Sequence, residues 1–382
     1  MRVFKRAFVV IAAAVIPVGV SGFAAGAAQA TASAPPESAT SAGTSFSTPG
    51  SLAGVAAVSK SNAWAVGYAG KNSAPRVLML HWNGTRWSRV TRPSVLTAGG
   101  GLTAITAVGP ANIWAVGYTG LIGTGKEHSL LLHWNGSAWR QVTSPAPVAG
   151  GHLAGVTATA KSGWAVGFVN TTPSAPPCCA GTPLVFRWNG SKWSRQSTPL
   201  GMGAGLNGVA ITAPNRAWAI GGPLAMITGA VAQWNGKAWA WARDPIKGPF
   251  RPLSSIVTRP RGAGFMVGTN NNSTPVGVSA RWNGTAWRQV PVHAPTFSEL
   301  NGVTFAPGGA AWAAGNYFSG GSEHPLVMRW NGSAWTRIAA PGSRELLNGL
   351  AFSAAGYGWA VGNTTSAQPR TAILHWNGKA WG

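Results

Sequence analysis

The sequence predicts an all-β protein, a seven-bladed β-propeller of four-stranded antiparallel blades. Three observations carry that prediction. Trp-Asn-Gly-x-x-Trp recurs at Trp82, Trp134, Trp188, Trp234, Trp282, Trp330 and Trp376, at intervals of 46 to 54 residues, a period typical of propeller blades. A second motif, Ala-Trp-Ala-Val-Gly, lies upstream of each, centred on Trp64, Trp114, Trp164, Trp218, Trp312 and Trp359, with Phe265 in the fifth unit. The runs between turn residues are short and rich in Val and Trp, which favours strands over helices.

Taken from the N-terminus, Arg2, Lys5 and Arg6 precede an apolar stretch over 7–20, and Ala28-Gln29-Ala30 offers a small-residue cleavage site. Residues 1–30 are therefore expected to be an export signal cleaved before Thr31. Residues 31–44 lack large apolar side chains and are expected to form a flexible leader. Residues 45–382 are assigned to the propeller. No second long apolar segment occurs, so the mature protein is expected to be secreted, extracellular, without a transmembrane anchor, and monomeric.

Each repeat divides into four strands. A Leu-x-Gly-Val segment opens it, as at residues 52–55, 153–156, 206–209 and 300–303. The Ala-Trp-Ala-Val-Gly segment is the second strand. An apolar run ending in the motif's first Trp is the third, apolar at nearly every position and so expected to be buried on both faces. The fourth starts near the second Trp. Asn-Gly between them is expected to supply the positive-φ residues of a tight hairpin. The seventh unit ends at Trp381-Gly382, and residues 45–49 resemble the tail of other fourth strands. Ser45 to Thr48 is thus expected to complete blade seven and close the ring.

Charge and composition narrow the function. Losing Arg2, Lys5 and Arg6 takes the 29 Lys+Arg to 26 against 6 Asp+Glu, a formal +20, a balance that favours anionic partners. Fourth-strand bases such as Arg89, Arg140, Arg195, Arg243, Arg288 and Arg337 fit the protection of an exposed sheet edge. Lys126, Arg259, Arg261 and Arg344 lie in connections and are candidates for a local patch. Nucleic acid is the less favoured partner, because it needs such a patch together with exposed aromatics. Of the 21 Trp, all but Trp241 occupy repeat positions, so they are expected to be core rather than sugar-stacking platforms.

At these motifs the chain resembles secreted bacterial β-propeller repeat proteins built from tandem Trp-Ala-Val-Gly … Trp-Asn-Gly-x-x-Trp units. The resemblance covers residues 50–382. More distantly, it is similar to photosystem II stability-factor-like and Asp-box (sialidase-type) propellers, with Asn taking the turn where those have Asp. The resemblance implies a fold and an extracellular setting, and it carries over no catalytic residue.

Enzyme signatures are absent. Gly120 to Lys126 imitates a phosphate-binding loop, but Glu127 stands where Ser or Thr is needed and no helix follows. His81, His133 and His375 interchange with Arg and Gln in other repeats, which reads as a polar position beside the turn. No metal site and no cofactor are expected. The one carboxylate pair with catalytic potential is Glu299 and Glu345, at the start of adjacent blades. Cys178 and Cys179 are adjacent, forming either a vicinal disulfide or a reactive thiol pair. The connections from second to third strand and from fourth strand to next blade share one face and vary in length and composition. That face is where binding is expected, with Lys126, His128, Asn271, Tyr317, His324 and Arg370 as candidate ligand contacts. The leading expectation is a secreted, non-catalytic binding module for glycan or cell-wall polymer. An extracellular protein-interaction scaffold, or a glycan-active hydrolase or lyase using Glu299 and Glu345, is the alternative.

Overall fold

The computed structural model describes residues 40–42, 45–71, 73–94, 96, 99–121, 126–145, 149–170, 181–198, 200, 204–223, 230–248, 252–259, 262–270 and 273–382. The export signal falls outside these residues, as do Cys178, Cys179, Asn271 and Arg261. The described chain forms seven antiparallel sheets arranged as propeller blades. In blade one, the order from centre to rim is Gly50–Ser59, Asn62–Ala69, Arg76–Trp82 and Trp87–Arg89. The same order recurs in the other blades, whose first strands are Gly100–Gly109, Gly151–Ala158, Ala204–Ala213, Leu253–Thr258, Ser298–Phe305 and Glu345–Phe352. A 3-10 turn at Pro307–Gly309 is the one helical element among the described residues.

The turns work differently from the sequence expectation. Only the glycine of each Asn-Gly pair has positive φ, as in Gly84 at 100° and Gly136 at 98°, while none of the seven asparagines does. Asn acts through its side chain. Asn83 Oδ1 accepts bonds from the Thr85 and Arg86 amides at 3.0 Å each and from the Thr85 hydroxyl at 2.8 Å. The loop therefore holds four residues between the paired Trp82 and Trp87, closed by an Asx-type bond rather than by two left-handed residues.

The glycine of Ala-Trp-Ala-Val-Gly has a separate cause. At Gly67, an added Cβ would overlap the carbonyl oxygen of Ser51 on the first strand, and the same clash recurs at Gly117, Gly167, Gly221, Gly268, Gly315 and Gly362. Directly after this crossing, each first strand carries a one-residue register shift, as between Leu52 and Gly54. Such bulges bend a strand and increase its twist.

The core lies between blades. Trp64 of blade one inserts between Trp134 (4.7 Å between ring centroids) and Trp139 (5.4 Å) of blade two. The same trio forms at every junction, with Phe265 as the inserted ring between blades five and six. Trp359 of blade seven meets Trp82 (4.8 Å) and Trp87 (5.0 Å) of blade one, closing the ring on the same interface.

Blade seven has three regular strands, and two segments share its outer position. Trp381 bridges Trp376, and Gly382 exchanges bonds with His375. At the other end the N-terminal segment takes over: Pro49 bridges Arg370, the Thr371 amide donates to Thr48, and the Thr48 amide donates to Thr371 Oγ1. Phe46 is buried in the cluster shared by blades seven and one. Thr40–Ala42 pairs with Ser45–Ser47, so strand structure reaches back inside the segment assigned to the leader. Blade six departs in the other direction, since Val292–His293 adds a parallel strand outside Trp335–Ile338.

Deleting residues 31–50, or substituting Phe46→Ala, should therefore destabilise the ring, the latter by about 3 kcal/mol in denaturant unfolding. Arg140→Gln on the rim should change it by less than about 0.5 kcal/mol. Equal midpoints for Phe46→Ala and the parent would remove the N-terminal segment from the account of closure.

Candidate ligand-binding face

In four first strands the bulge residue hydrogen-bonds to the neighbouring blade. Thr103 Oγ1 donates to Leu153 O (2.6 Å), Asn207 Nδ2 to Leu253 O (3.0 Å), Asn301 Nδ2 to Leu347 O (3.0 Å), and Asn348 Nδ2 to Leu52 O (2.8 Å). These bonds hold the inner strands at a fixed spacing around a central cavity of about 380 Å³. Its wall is built from Ala, Gly, Val, Ile, Thr, Ser and Asn with Leu350 and Phe352, and bears no charged side chain. Acidic and basic side chains stand outside the channel, on the two faces of the disc.

The two faces of the disc are defined by which loops pack together. Trp82 Nε1 donates to Lys60 O (2.9 Å) and Trp134 Nε1 to Pro110 O (3.1 Å), placing the Asn-Gly turns beside the first-to-second-strand turns. On the opposite face the Gly150 amide donates to Glu127 O and the Arg344 amide to Glu323 O. This second face carries the variable connections.

On it, blades six and seven gather the largest group of candidates. Glu299 stands on the first strand of blade six, paired in register with Asn316. Burial, and then the neighbouring Glu323, push its carboxyl up to about 7. Asn316 donates to Glu323 Oε2 (3.1 Å) and accepts from Asn301 Nδ2 (3.2 Å). Tyr317 stacks on His324 at 5.1 Å and 23°. Arg337 lies 4.5 Å from the Tyr317 ring centre and donates to its hydroxyl at 2.6 Å. Glu345 is raised above the usual carboxylate range by burial, against the opposing pull of its own backbone bond and of His324. The acidic neighbour of Glu299 is thus Glu323 of its own blade, while Glu345 is tied electrostatically to His324.

The other candidates lie elsewhere. Both exposed, Lys126 lies in the second-to-third-strand connection of blade two and His128 begins its third strand, two blades on from blade seven. Arg370 directs its guanidinium to Ser47 Oγ (2.8 Å) and Ser47 O (3.3 Å), which makes it part of the ring closure. Lys126, Arg259 and Arg344 do not form one patch. Arg259 sits on the Asn-Gly side, 4.5 Å from the Phe305 ring centre, and the other two lie on the connection face in different blades. Among the described residues no group of His, Cys, Asp or Glu is arranged to hold a metal.

Two features escaped the sequence. His81, His133 and His375 lie against the second-strand Trp of their own blades at 4.2–4.4 Å between ring centres. Arg187 and Arg329 cap the equivalent Trp164 and Trp312. The interchange of His and Arg was visible; that both cover an indole was not. The other feature is His152, 2% exposed, edge-on to Tyr118 (5.0 Å) and Phe168 (4.9 Å), with neither ring nitrogen hydrogen-bonded. Burial lowers it to about 4 and keeps it neutral.

No protein-family model and no curated protein matches the chain. Among solved structures, it is similar to the WD40 β-propeller domain of Doa1, with a TM-score of 0.56 at 11% identity over 88% of this chain and 96% of that one. It is less similar to YCF48 bound to D1 peptide, with a TM-score of 0.48 at 15% identity over 76% and 87%. For the SapL1 lectin with alpha methyl fucoside the TM-score is 0.46 at 15% identity, over 76% and 95%. At such identities the likeness to the WD40 domain shows the fold alone.

Two of the perturbed groups, Glu299 and His152, pull stability in opposite directions with pH. Glu299 is raised in the fold, so the native state holds the extra proton and stability falls as pH rises from about 4.5 to about 7. His152 is lowered, so the unfolded chain holds the extra proton and stability falls as pH drops from 6.5 to about 4. Glu299→Gln should flatten the first slope and His152→Phe the second, read as unfolding midpoints across that range. An unchanged profile in either variant would mean that the group does not titrate differently on folding.

Proposed function

We propose that the protein is a secreted, non-catalytic binding module that takes a neutral, hydroxyl-rich glycan or cell-wall polymer at the channel mouth of blades six and seven. The observation that carries this reading is the set of half-buried Glu299 and Glu323 around the buried Asn316. A carboxyl held near neutrality can donate or accept, a second carboxyl beside it accepts, and an amide does both. Sugar hydroxyls ask for such mixed pairing. An anionic ligand would meet three acidic side chains there, Glu299, Glu323 and Glu345. Tyr317, stacked on His324 and bonded through its hydroxyl to Arg337, is held in place by these contacts and shapes the wall. The seven-bladed scaffold supports the reading because it holds these loops on strand ends that do not move with the ligand.

A glycan-active enzyme is the second reading, favoured by one observation. A carboxyl raised to about 7 suits a general acid. In that case Glu299 would donate the proton to the leaving oxygen, with Glu345 or Glu323 as the basic partner.

Purified mature protein should bind members of a neutral glycan array, with retention at high salt. Glu299→Gln together with Glu323→Gln should weaken that binding about tenfold or more, and binding should weaken as pH rises through about 7. Binding that ignores both substitutions would place the ligand elsewhere, and glycan cleavage lost in Glu299→Gln would decide for the enzyme. Export with the native N-terminus should yield a chain starting at Thr31, read by N-terminal sequencing; retention of the full chain in the cell would refute the secretory assignment.

A further inference from the structure

Two side chains stand on a backbone conformation that favours glycine. Phe297 has φ 56° and Arg344 φ 76°, and every other positive φ among the described residues belongs to glycine. Left-handed backbone brings a Cβ too close to a carbonyl oxygen, a steric cost that glycine escapes.

The two occupy the same place in neighbouring blades. Phe297 immediately precedes the first strand of blade six, Ser298–Phe305, and Arg344 that of blade seven, Glu345–Phe352. Each carbonyl accepts an amide from the end of its blade's second strand, Phe318 N to Phe297 O (2.9 Å) and Thr365 N to Arg344 O (2.6 Å). Blade three makes the same bond from Asn170 N to Gly150 O (2.9 Å), with a glycine at φ 78°. The backbone bond therefore needs no side chain at this position.

Packing does not explain the strain either. Phe297 is 48% exposed, the most of any large hydrophobic side chain described. Arg344 is exposed, and its guanidinium makes no hydrogen bond or ion pair among the described residues, although Glu323 and Glu345 flank it. Strain kept at exposed side chains points to function.

Both residues border the mouth already described. Phe297 lies two residues before Glu299. Phe318, which bonds Phe297, faces Glu323 in the hairpin register, and Glu323 O accepts from the Arg344 amide (2.6 Å). The four form one connected row from blade six to blade seven.

We infer that, given the glycan reading of this mouth, Phe297 and Arg344 contact the ligand, and that the ligand is built of pyranose rings with equatorial hydroxyls. Glu299, Glu323 and Asn316 offer hydrogen bonds without an apolar face, and Tyr317 is stacked on His324. The exposed ring of Phe297 supplies the face that the mouth otherwise lacks. A pyranose whose hydroxyls lie round the ring edge carries C–H groups on its faces. Such a ring can rest on Phe297 while its edge hydroxyls reach the carboxyls and the amide. Arg344 has donors and no acceptor, so it serves the hydroxyl and ring oxygens. A strained backbone fixes both side chains before the ligand arrives, which lowers the ordering cost of binding.

The test uses the mature chain with cellohexaose as the probe and β-1,4-mannohexaose, whose axial hydroxyl interrupts the C–H face, as comparator. Phe297→Ala removes the ring alone, and Phe297→Gly removes the ring and the strain. Both should weaken cellohexaose binding about fivefold, and the Gly variant should melt above the Ala variant. Arg344→Ala and Arg344→Gly should behave in the same way. Trp241→Ala, on the rim of blade four, should leave binding unchanged, and mannohexaose should bind more weakly than cellohexaose. Cellohexaose binding that survives Phe297→Ala, or that is lost in Trp241→Ala, would overturn the assignment. So would Gly variants that melt below their Ala counterparts, because packing would then fix the conformation. A parent that binds other neutral glycans but not cellohexaose refutes this ligand alone. A parent that binds no neutral glycan refutes the glycan reading of the mouth and this assignment with it.

Discussion

The insertion of one aromatic ring between two Trp of the next blade is the contact on which the rest of this molecule depends. A buried indole hides about 150–250 Å², worth on the order of 4 kcal/mol by area and less against a compact unfolded chain. Each junction uses three such rings, or two with Phe265. A single blade offers its second-strand Trp on one side and its paired motif Trps on the other, so it is self-complementary only in a ring. That need explains why the motif recurs at each blade and why closure uses Trp359 against Trp82 and Trp87 instead of a special contact. The N-terminal segment adds to a ring already closed by aromatic packing, filling the outer edge and placing Phe46 in the same seam.

Burying so much indole has a polar cost, and the chain meets it unevenly. The first motif Trps at residues 82 and 134 donate to turn carbonyls, and Trp335 Nε1 reaches Ser279 Oγ at 3.0 Å. Others, such as Trp64, Trp114 and Trp193, have a buried Nε1 without a hydrogen-bond acceptor. Their neighbours are aromatic faces and, beside Trp64 and Trp114, the imidazoles of His81 and His133, which burial holds below their usual pKa. A neutral ring covers an indole without carrying a full charge into the interface, whereas Arg at the equivalent positions keeps its charge over the ring face and gains cation–π attraction. One position thus accepts either residue because both solve the same covering problem.

The repeat, the strand order and the division into two faces were legible because they follow from local spacing. Period, turn residues and alternating apolar runs recur within each unit and need no knowledge of the partner. What could not be read is what crosses from blade to blade. Asn207, Asn301 and Asn348 look like ordinary polar residues in a strand until the bulge turns them onto the next blade's carbonyl. Arg370 has the exposure pattern of a ligand contact, but its partner Ser47 is 323 residues away. Likewise the Asn of each turn was credited with backbone freedom, when its side chain does the work. Glu299 could be singled out by the rarity of acids; that Glu323 would stand nearer to it than Glu345 in effect depends on the register of a hairpin.

That rarity has a physical reading once the faces are separated. A propeller of this kind needs few charges for its fold, since its core is aromatic and its channel uncharged. Of the 6 acidic residues in the whole chain, Glu299 carries a desolvation cost that shows directly in its raised pKa. Placing the acids by the variable loops leaves the turn face with cations alone. The two faces of the disc therefore differ in the sign of the charge they present. The rigidity that the aromatic junctions impose keeps the two fields apart.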